Sequence, residues 1–185
     1  MHLTLPHTLL AGGPASWHHF AGILLVILLC IWQVQVGRVG PIWMILWSLP
    51  GTILHELSHL LVALVTGGRP VGFSIFPRPG GGSGFNQRWV LGSVTVSRPS
   101  PISALPTALA PLALLGVSFY LYEHWWSWFR PDLLHTLGMY VTVYLLSYSS
   151  IPSREDFKLA ASRPLGILLY GSLVALLVYF SANRT

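Results

Sequence analysis

Residues 55–59 read His55-Glu56-Leu57-Ser58-His59, two histidines four apart with a glutamate directly after the first. On a helix, residues four apart share a face, so both imidazoles can point at one metal ion. Glu56 lies one residue on from His55, where its carboxylate can reach a metal-bound water without being forced to ligate the metal. Zinc lowers the pKa of such a water to about 7. A carboxylate beside it can accept the released proton and pass it to a leaving amine. Together these residue types offer the chemistry of a zinc hydrolase, with His55 and His59 as ligands and Glu56 as base. The setting adds weight, because the flanking residues are Ile, Leu and Val. A charged side chain within an apolar span costs about 2.5–3.5 kcal/mol on insertion scales, and such residues are usually functional. The structural alternative is a buried polar cluster that bridges helices.

The elements that must position these residues follow from composition. Of 185 residues, 53% are hydrophobic and only 8% charged, against about a quarter charged in an ordinary soluble domain. The chain is therefore expected to be an all-α polytopic membrane protein of about five transmembrane helices, forming a single membrane domain over residues 1–185. The expected spans are 20–36, 42–65 (kinked at Pro50-Gly51), 104–122 (containing Pro106 and Pro111), 133–150 and 165–181. Trp17, Trp32, Trp43, Trp125, Trp126 and Trp128 fall near the span ends, as interfacial aromatics do. Residues 1–16 hold no Lys or Arg, so the first apolar segment is read as a retained span rather than a cleaved signal.

Basic residues set the orientation. Arg69, Arg78, Arg88, Arg98, Arg154, Lys158 and Arg163 share one side with the N-terminus, and Arg38, Arg130 and Arg184 lie on the other. The first side is expected to be cytoplasmic, in a plasma (inner) membrane. Scattered basic residues between apolar segments point to anionic lipid headgroups as partner and exclude a nucleic-acid patch. The single cysteine, Cys30, excludes an internal disulfide and is expected to be a small buried apolar residue. Loop 66–103 is the one long polar segment. Val71–Phe76 and Trp89–Ser97 flank a glycine-rich run within it, which predicts a small β-hairpin at the membrane surface.

A catalytic zinc site takes three protein ligands and keeps one open position. The chain has five acidic residues. Glu56 is the base, and Glu123 and Asp132 fall on the far side of the expected topology. Glu155 and Asp156 remain. His59 lies six residues before the cytoplasmic end of its span, about 9 Å deep at about 1.5 Å per residue, and the 155–156 pair follows a span that exits on the same side. A competing role is local: Ser153-Arg154-Glu155-Asp156 is an S-x-x-D pattern after Pro152, in which Asp156 would cap a new helix.

A kinked span carrying H-E-x-x-H, a surface hairpin, a further span, then a span ending in a Pro-containing turn and an Asp: this order resembles the site-2 protease family of intramembrane zinc metalloproteases. The resemblance covers about residues 42–160, leaving 20–36 and 165–181 as extra spans. It implies Zn²⁺ as cofactor, His55, His59 and Asp156 as its ligands, Glu56 as the base, and peptide bonds of a membrane protein as substrate. The family's later motif is roughly N-x-x-P followed by Leu-Asp-Gly. Here Pro152 and Asp156 stand without that Asn or the Gly, so the likeness is to a divergent member. An extended substrate segment could pair with a free hairpin edge such as Trp89–Ser97.

Other readings fit parts of the sequence. A non-catalytic metal-binding scaffold or transporter would need the His pair but no base. A prenyl-protein protease would need a Glu as third ligand, either Glu155 or, in another topology, Glu123. Gly81-Gly82-Ser83-Gly84 matches the G-x-S-G of rhomboid proteases in form only, since a polar loop is no place for that serine. His18 and His19 read as interfacial residues, and His2 and His7 as parts of a terminal segment.

Overall fold

The computed structural model describes residues 14–75, 78–80, 89–90, 92–97 and 100–183. Ser83, Asn86, Arg88, Arg98, His2 and His7 lie outside the described residues, and with them the glycine-rich run from Gly81 to Gly84. Among the described residues, seven helices and four short strands follow in the order α1 (Pro14–Val39), α2 (Pro41–Val65), β1 (Pro70–Ser74), β2 (Arg78–Pro79), β3 (Trp89–Val90), β4 (Ser93–Val96), α3 (Pro101–Leu109), α4 (Leu112–Trp128), α5 (Leu133–Ser149), α6 (Arg154–Ala161) and α7 (Pro164–Ala182).

Punctuation in the sequence explains most of these limits. Pro41, Pro101 and Pro164 each begin a helix, where a missing amide costs nothing. Gly67 stops α2 at φ +72°. There Gly68 N–H donates to the Ala63 carbonyl at 2.7 Å and Gly67 N–H to that of Leu64 at 3.4 Å, the paired bonds of a Schellman cap. The hairpin follows. β1 pairs antiparallel with β4 in the register Gly72↔Thr95, Phe73↔Val94 and Ser74↔Ser93, with a bulge between Pro70 and Gly72. β2 and β3 form a second short antiparallel pair farther along the same arm.

Three helical segments, Trp17–Val39, Pro41–Val65 and Pro164–Ala182, are each long and apolar enough to cross a membrane, and the broken pair α3–α4 counted together makes a fourth. Pro111 marks that break, between Leu109 and Leu112. The remaining expected span, 133–150, corresponds to α5, which has 17 residues. At about 1.5 Å per residue it reaches about 25 Å, just under the hydrocarbon thickness of about 30 Å.

The burial pattern is inverted relative to a water-soluble protein. Ala63, Ala104, Ala108, Ser103, Thr107, Ser118 and Thr136 are buried, while Leu, Ile, Val and Phe line the outside of α1, α4 and α7. Small and hydroxyl-bearing residues at helix contacts with apolar residues outside are what a lipid solvent favours.

By its internal contacts the chain divides into two compact units, Met1–Gly51 with Leu115–Ser149, and Thr52–Leu114 with Ser150–Thr185. In the first, α1 packs along α5. Gln33 bridges them: its amide nitrogen donates to the Tyr148 hydroxyl at 2.7 Å, and its carbonyl oxygen accepts from Trp47 Nε1 at 2.5 Å. Trp125 departs from the interfacial role expected of it. It is buried, and its Nε1 donates to the His135 carbonyl at 3.1 Å, anchoring α4 on α5. Cys30 also departs from expectation. It is exposed on α1, on a face rich in Ile and Leu, where apolar surroundings would come from lipid rather than from the protein's core.

In the second unit α3 packs against α6 and α7. The contact is close at Gly166, where a Cβ would come within 2.3 Å of the Pro101 carbonyl oxygen. That atom belongs to the backbone and cannot swing away. Gly166→Ala is therefore expected to destabilise this unit by about 1–3 kcal/mol, the usual cost of overpacking, seen as a lower thermal midpoint by circular dichroism in detergent.

Candidate metal centre

The second unit contains His55, Glu56 and His59 on α2 and Asp156 on α6. The helical spacing of four does what the sequence suggests. The two imidazoles lie on one face with ring centroids 4.8 Å apart and their Nε2 atoms 3.2 Å apart. Asp156 meets them from a residue separation of about a hundred, its Oδ2 lying 3.3 Å from His55 Nε2 and its Oδ1 3.0 Å from His59 Nε2. Among the described residues, these three form the group whose donor atoms converge closely enough to hold a metal ion.

Asp156 is held by its own helix start. Ser153 is the N-cap of α6; its N–H donates to Asp156 Oδ2 at 2.6 Å, and Asp156 N–H donates back to Ser153 Oγ at 3.3 Å. Capping and convergence, which the sequence presents as competing roles, are thus met by one side chain. The reciprocal bonds of a capping box fix the carboxylate's direction, and that direction is toward the histidines. Burial favours the neutral acid, but positive charge on the facing histidine nitrogens together with the Ser153 amide outweighs it and holds the Asp156 carboxyl well below the usual carboxylate range.

His59 is oriented from behind. Its Nδ1 lies 2.6 Å from the Thr107 carbonyl oxygen of α3. A carbonyl only accepts, so Nδ1 must carry the proton, and the neutral ring then presents a lone pair at Nε2. That lone pair faces Asp156 Oδ1 and His55 Nε2. Electron-rich atoms brought together at 3.0–3.3 Å require a positive charge among them, either a proton or a metal ion. The 3.2 Å between the two Nε2 atoms suits the second case, and Asp156 turns one carboxylate oxygen toward each of them. Bonds of about 2.0–2.1 Å in a tetrahedral site put ligand atoms about 3.3–3.4 Å apart. Two imidazole nitrogens and one carboxylate oxygen also make a donor set that first-row divalent metals accept.

Glu56 is buried beside this group and outside it, near enough for its charge to interact with His55, His59 and Asp156. Gly92, just before β4, closes over it. A Cβ on Gly92 would lie 2.6 Å from Glu56 Cγ and 2.8 Å from Thr52 Cγ2. Only a residue without a side chain lets the hairpin rest on the glutamate.

The other candidates go elsewhere. Glu155, the alternative third ligand, is exposed and paired with Lys158 at 2.6 Å. Lys158 therefore answers Glu155 rather than Asp156. Asp132 accepts from His135 N–H at 2.8 Å and contacts His135 Nδ1 at 2.7 Å, at the start of α5. His19 is buried against the Tyr140 hydroxyl at 3.3 Å, so it is a packing residue of the first unit rather than an interfacial one. Two contributors escaped sequence reasoning. Thr107 acts through a backbone atom, which its residue type does not announce. Gly92 is one of 18 glycines, and only the fold singles it out.

The chain matches no protein-family model, no curated protein and no solved structure.

Proposed function

We propose that this chain is a membrane-embedded zinc metalloprotease that hydrolyses peptide bonds of membrane proteins near the cytoplasmic face. The observation that carries the reading is the convergence of His55, His59 and Asp156 beside a buried Glu56, in a chain with three or four helices able to cross a membrane. His55 Nε2, His59 Nε2 and the Asp156 carboxylate would hold Zn²⁺, which when bound supplies Lewis acidity toward a water and toward the scissile carbonyl. The chain's own residues do the rest. Glu56 accepts the proton lost by the attacking water as the new C–O bond forms. It returns that proton to the amide nitrogen as the C–N bond breaks, so the leaving group departs as a neutral amine. Burial keeps the carboxylate away from bulk solvent and gives it that one proton route.

The hairpin supplies a place for substrate. In its two-stranded sheet β4 pairs with β1 along one edge, and among the described residues no strand pairs with the other, where an extended segment could add. Gly92 leads into β4 directly from the contact with Glu56, so a segment added to that edge would run past the base. In this reading α5 completes a five-span protein of the plasma membrane, with basic loops against anionic headgroups.

The test is metal analysis of the purified chain alongside cleavage of a membrane-spanning substrate peptide in liposomes. One zinc per chain is expected, with hydrolysis abolished by a chelator and restored by Zn²⁺. Absence of a stoichiometric metal would refute the reading. A stoichiometric metal without cleavage of any membrane segment would favour a metal-binding scaffold or transporter.

A further inference from the structure

Helix α3 carries two carbonyls, one in its first turn and one in its last, that face a proline four residues on. In an α-helix the carbonyl of residue i accepts from the amide of residue i+4. Residue 106 is proline, four after Ile102, and residue 111 is proline, four after Thr107. Neither proline has an amide to give. Both carbonyls are instead used across the fold: that of Ile102 accepts from the Tyr170 hydroxyl of α7 at 2.8 Å, and that of Thr107 from His59 Nδ1 at 2.6 Å.

We propose that Pro111 is a positioning residue for His59. By withholding an amide it keeps one lone pair of the Thr107 carbonyl open, and that lone pair fixes the His59 tautomer with Nε2 turned toward Asp156 and His55. The count of lone pairs makes the case. The Thr107 carbonyl has two. Ala110 N–H takes one at 3.2 Å, and His59 takes the other. Ala110 has helical backbone angles, φ −51° and ψ −41°. An ordinary residue at 111 would therefore aim its N–H back along the helix at the same oxygen and compete with His59. The proline ring also presses on the carbonyl four residues earlier and turns it outward. Pro111 is fully buried, so nothing about its surroundings suggests a surface turn. The consequence for catalysis rests on the reading of His59 as a metal ligand; the consequence for the tautomer does not.

The test compares three full-length chains in detergent: wild type, Pro111→Ala, and a chain with lactate in place of Pro111. Lactate has the side chain of alanine but an ester oxygen where the amide would be. It shares any cavity left by the ring and, like proline, donates nothing. Two quantities are read: the His59 tautomer by ¹⁵N NMR in metal-free protein with neutral imidazoles, and affinity for added Co²⁺. Wild type is expected to show the Nδ1–H form alone. Pro111→Ala is expected to show a mixture of tautomers and about 10–100-fold weaker Co²⁺ binding, the usual cost of losing a ligand's outer partner. The lactate chain is expected to match wild type in both. A wild-type tautomer in Pro111→Ala, or a lactate chain that behaves like Pro111→Ala, would overturn the proposal. Should Pro111→Ala not fold, the lactate chain decides alone, since loss of the Nδ1–H form there contradicts the proposal. If wild type itself fails to bind Co²⁺, the metalloprotease reading falls while the tautomer comparison still judges Pro111.

Discussion

Glu56→Gln is expected to keep the fold and the bound metal while lowering hydrolysis by at least about 10²–10⁴-fold, the usual contribution of a general base. The replacement is nearly isosteric. It preserves the packing beneath Gly92 and Thr52 that the buried glutamate now provides. It leaves untouched the three donor atoms that converge, because Glu56 stands outside that group. What it removes is the ability to take a proton from water and return it to the leaving nitrogen. Helical content by circular dichroism, zinc per chain by elemental analysis and cleavage of a membrane-spanning peptide separate these effects. Activity near the wild-type level in this variant would eliminate Glu56 as base. Loss of metal together with activity would move Glu56 into the ligand set and leave the base unassigned.

The part of this site that was legible in the sequence is the part written in local spacing. His55 and His59 share a face because a helix repeats every 3.6 residues, and α2 ends at Val65 where Gly67 caps it. The β1–β4 pairing was legible too, since strand-like residues flank a glycine-rich run. Counting acids reduced the third position to Glu155 or Asp156, but spacing could not separate adjacent residues. Three-dimensional placement does so: Glu155 faces solvent and Lys158, while Asp156 faces inward from the first turn of α6. The sequence also set capping against ligation for Asp156, because each role alone accounts for an S-x-x-D pattern. A carboxylate has two oxygens, and here both roles are satisfied together. Less legible were features that depend on what a distant helix brings. Trp125 near a span end read as an interfacial anchor, yet a carbonyl of α5 makes it a buried one. The apolar segment 104–122 read as one span containing two prolines, and the helix breaks around Pro111 into two pieces that together still make a candidate span.

Asp156 offers the sharpest way to separate ligation from capping, because its two roles respond differently to two substitutions. Asp156→Ala removes both. It is expected to weaken metal binding by more than about 100-fold, beyond the cost of losing an outer partner, and to destabilise the start of α6 by about 1 kcal/mol, as loss of a cap does. Asp156→Asn keeps an oxygen able to accept the Ser153 amide, so α6 should retain its first turn. It loses the negative charge that offsets a divalent cation between two neutral imidazoles, so metal affinity should still fall by most of the alanine effect. Glu155→Ala is the control. It breaks an exposed pair with Lys158, worth little in water-facing positions, and should leave metal binding unchanged. Titration of each full-length variant with Co²⁺, with amide exchange across residues 153–158 as the measure of the cap, gives both quantities. If Asp156→Asn bound Co²⁺ as tightly as wild type, the carboxylate's place in the metal set would be lost. The two histidines would then need another third partner, and the buried carboxylate of Glu56 would be the next to test by the same substitution.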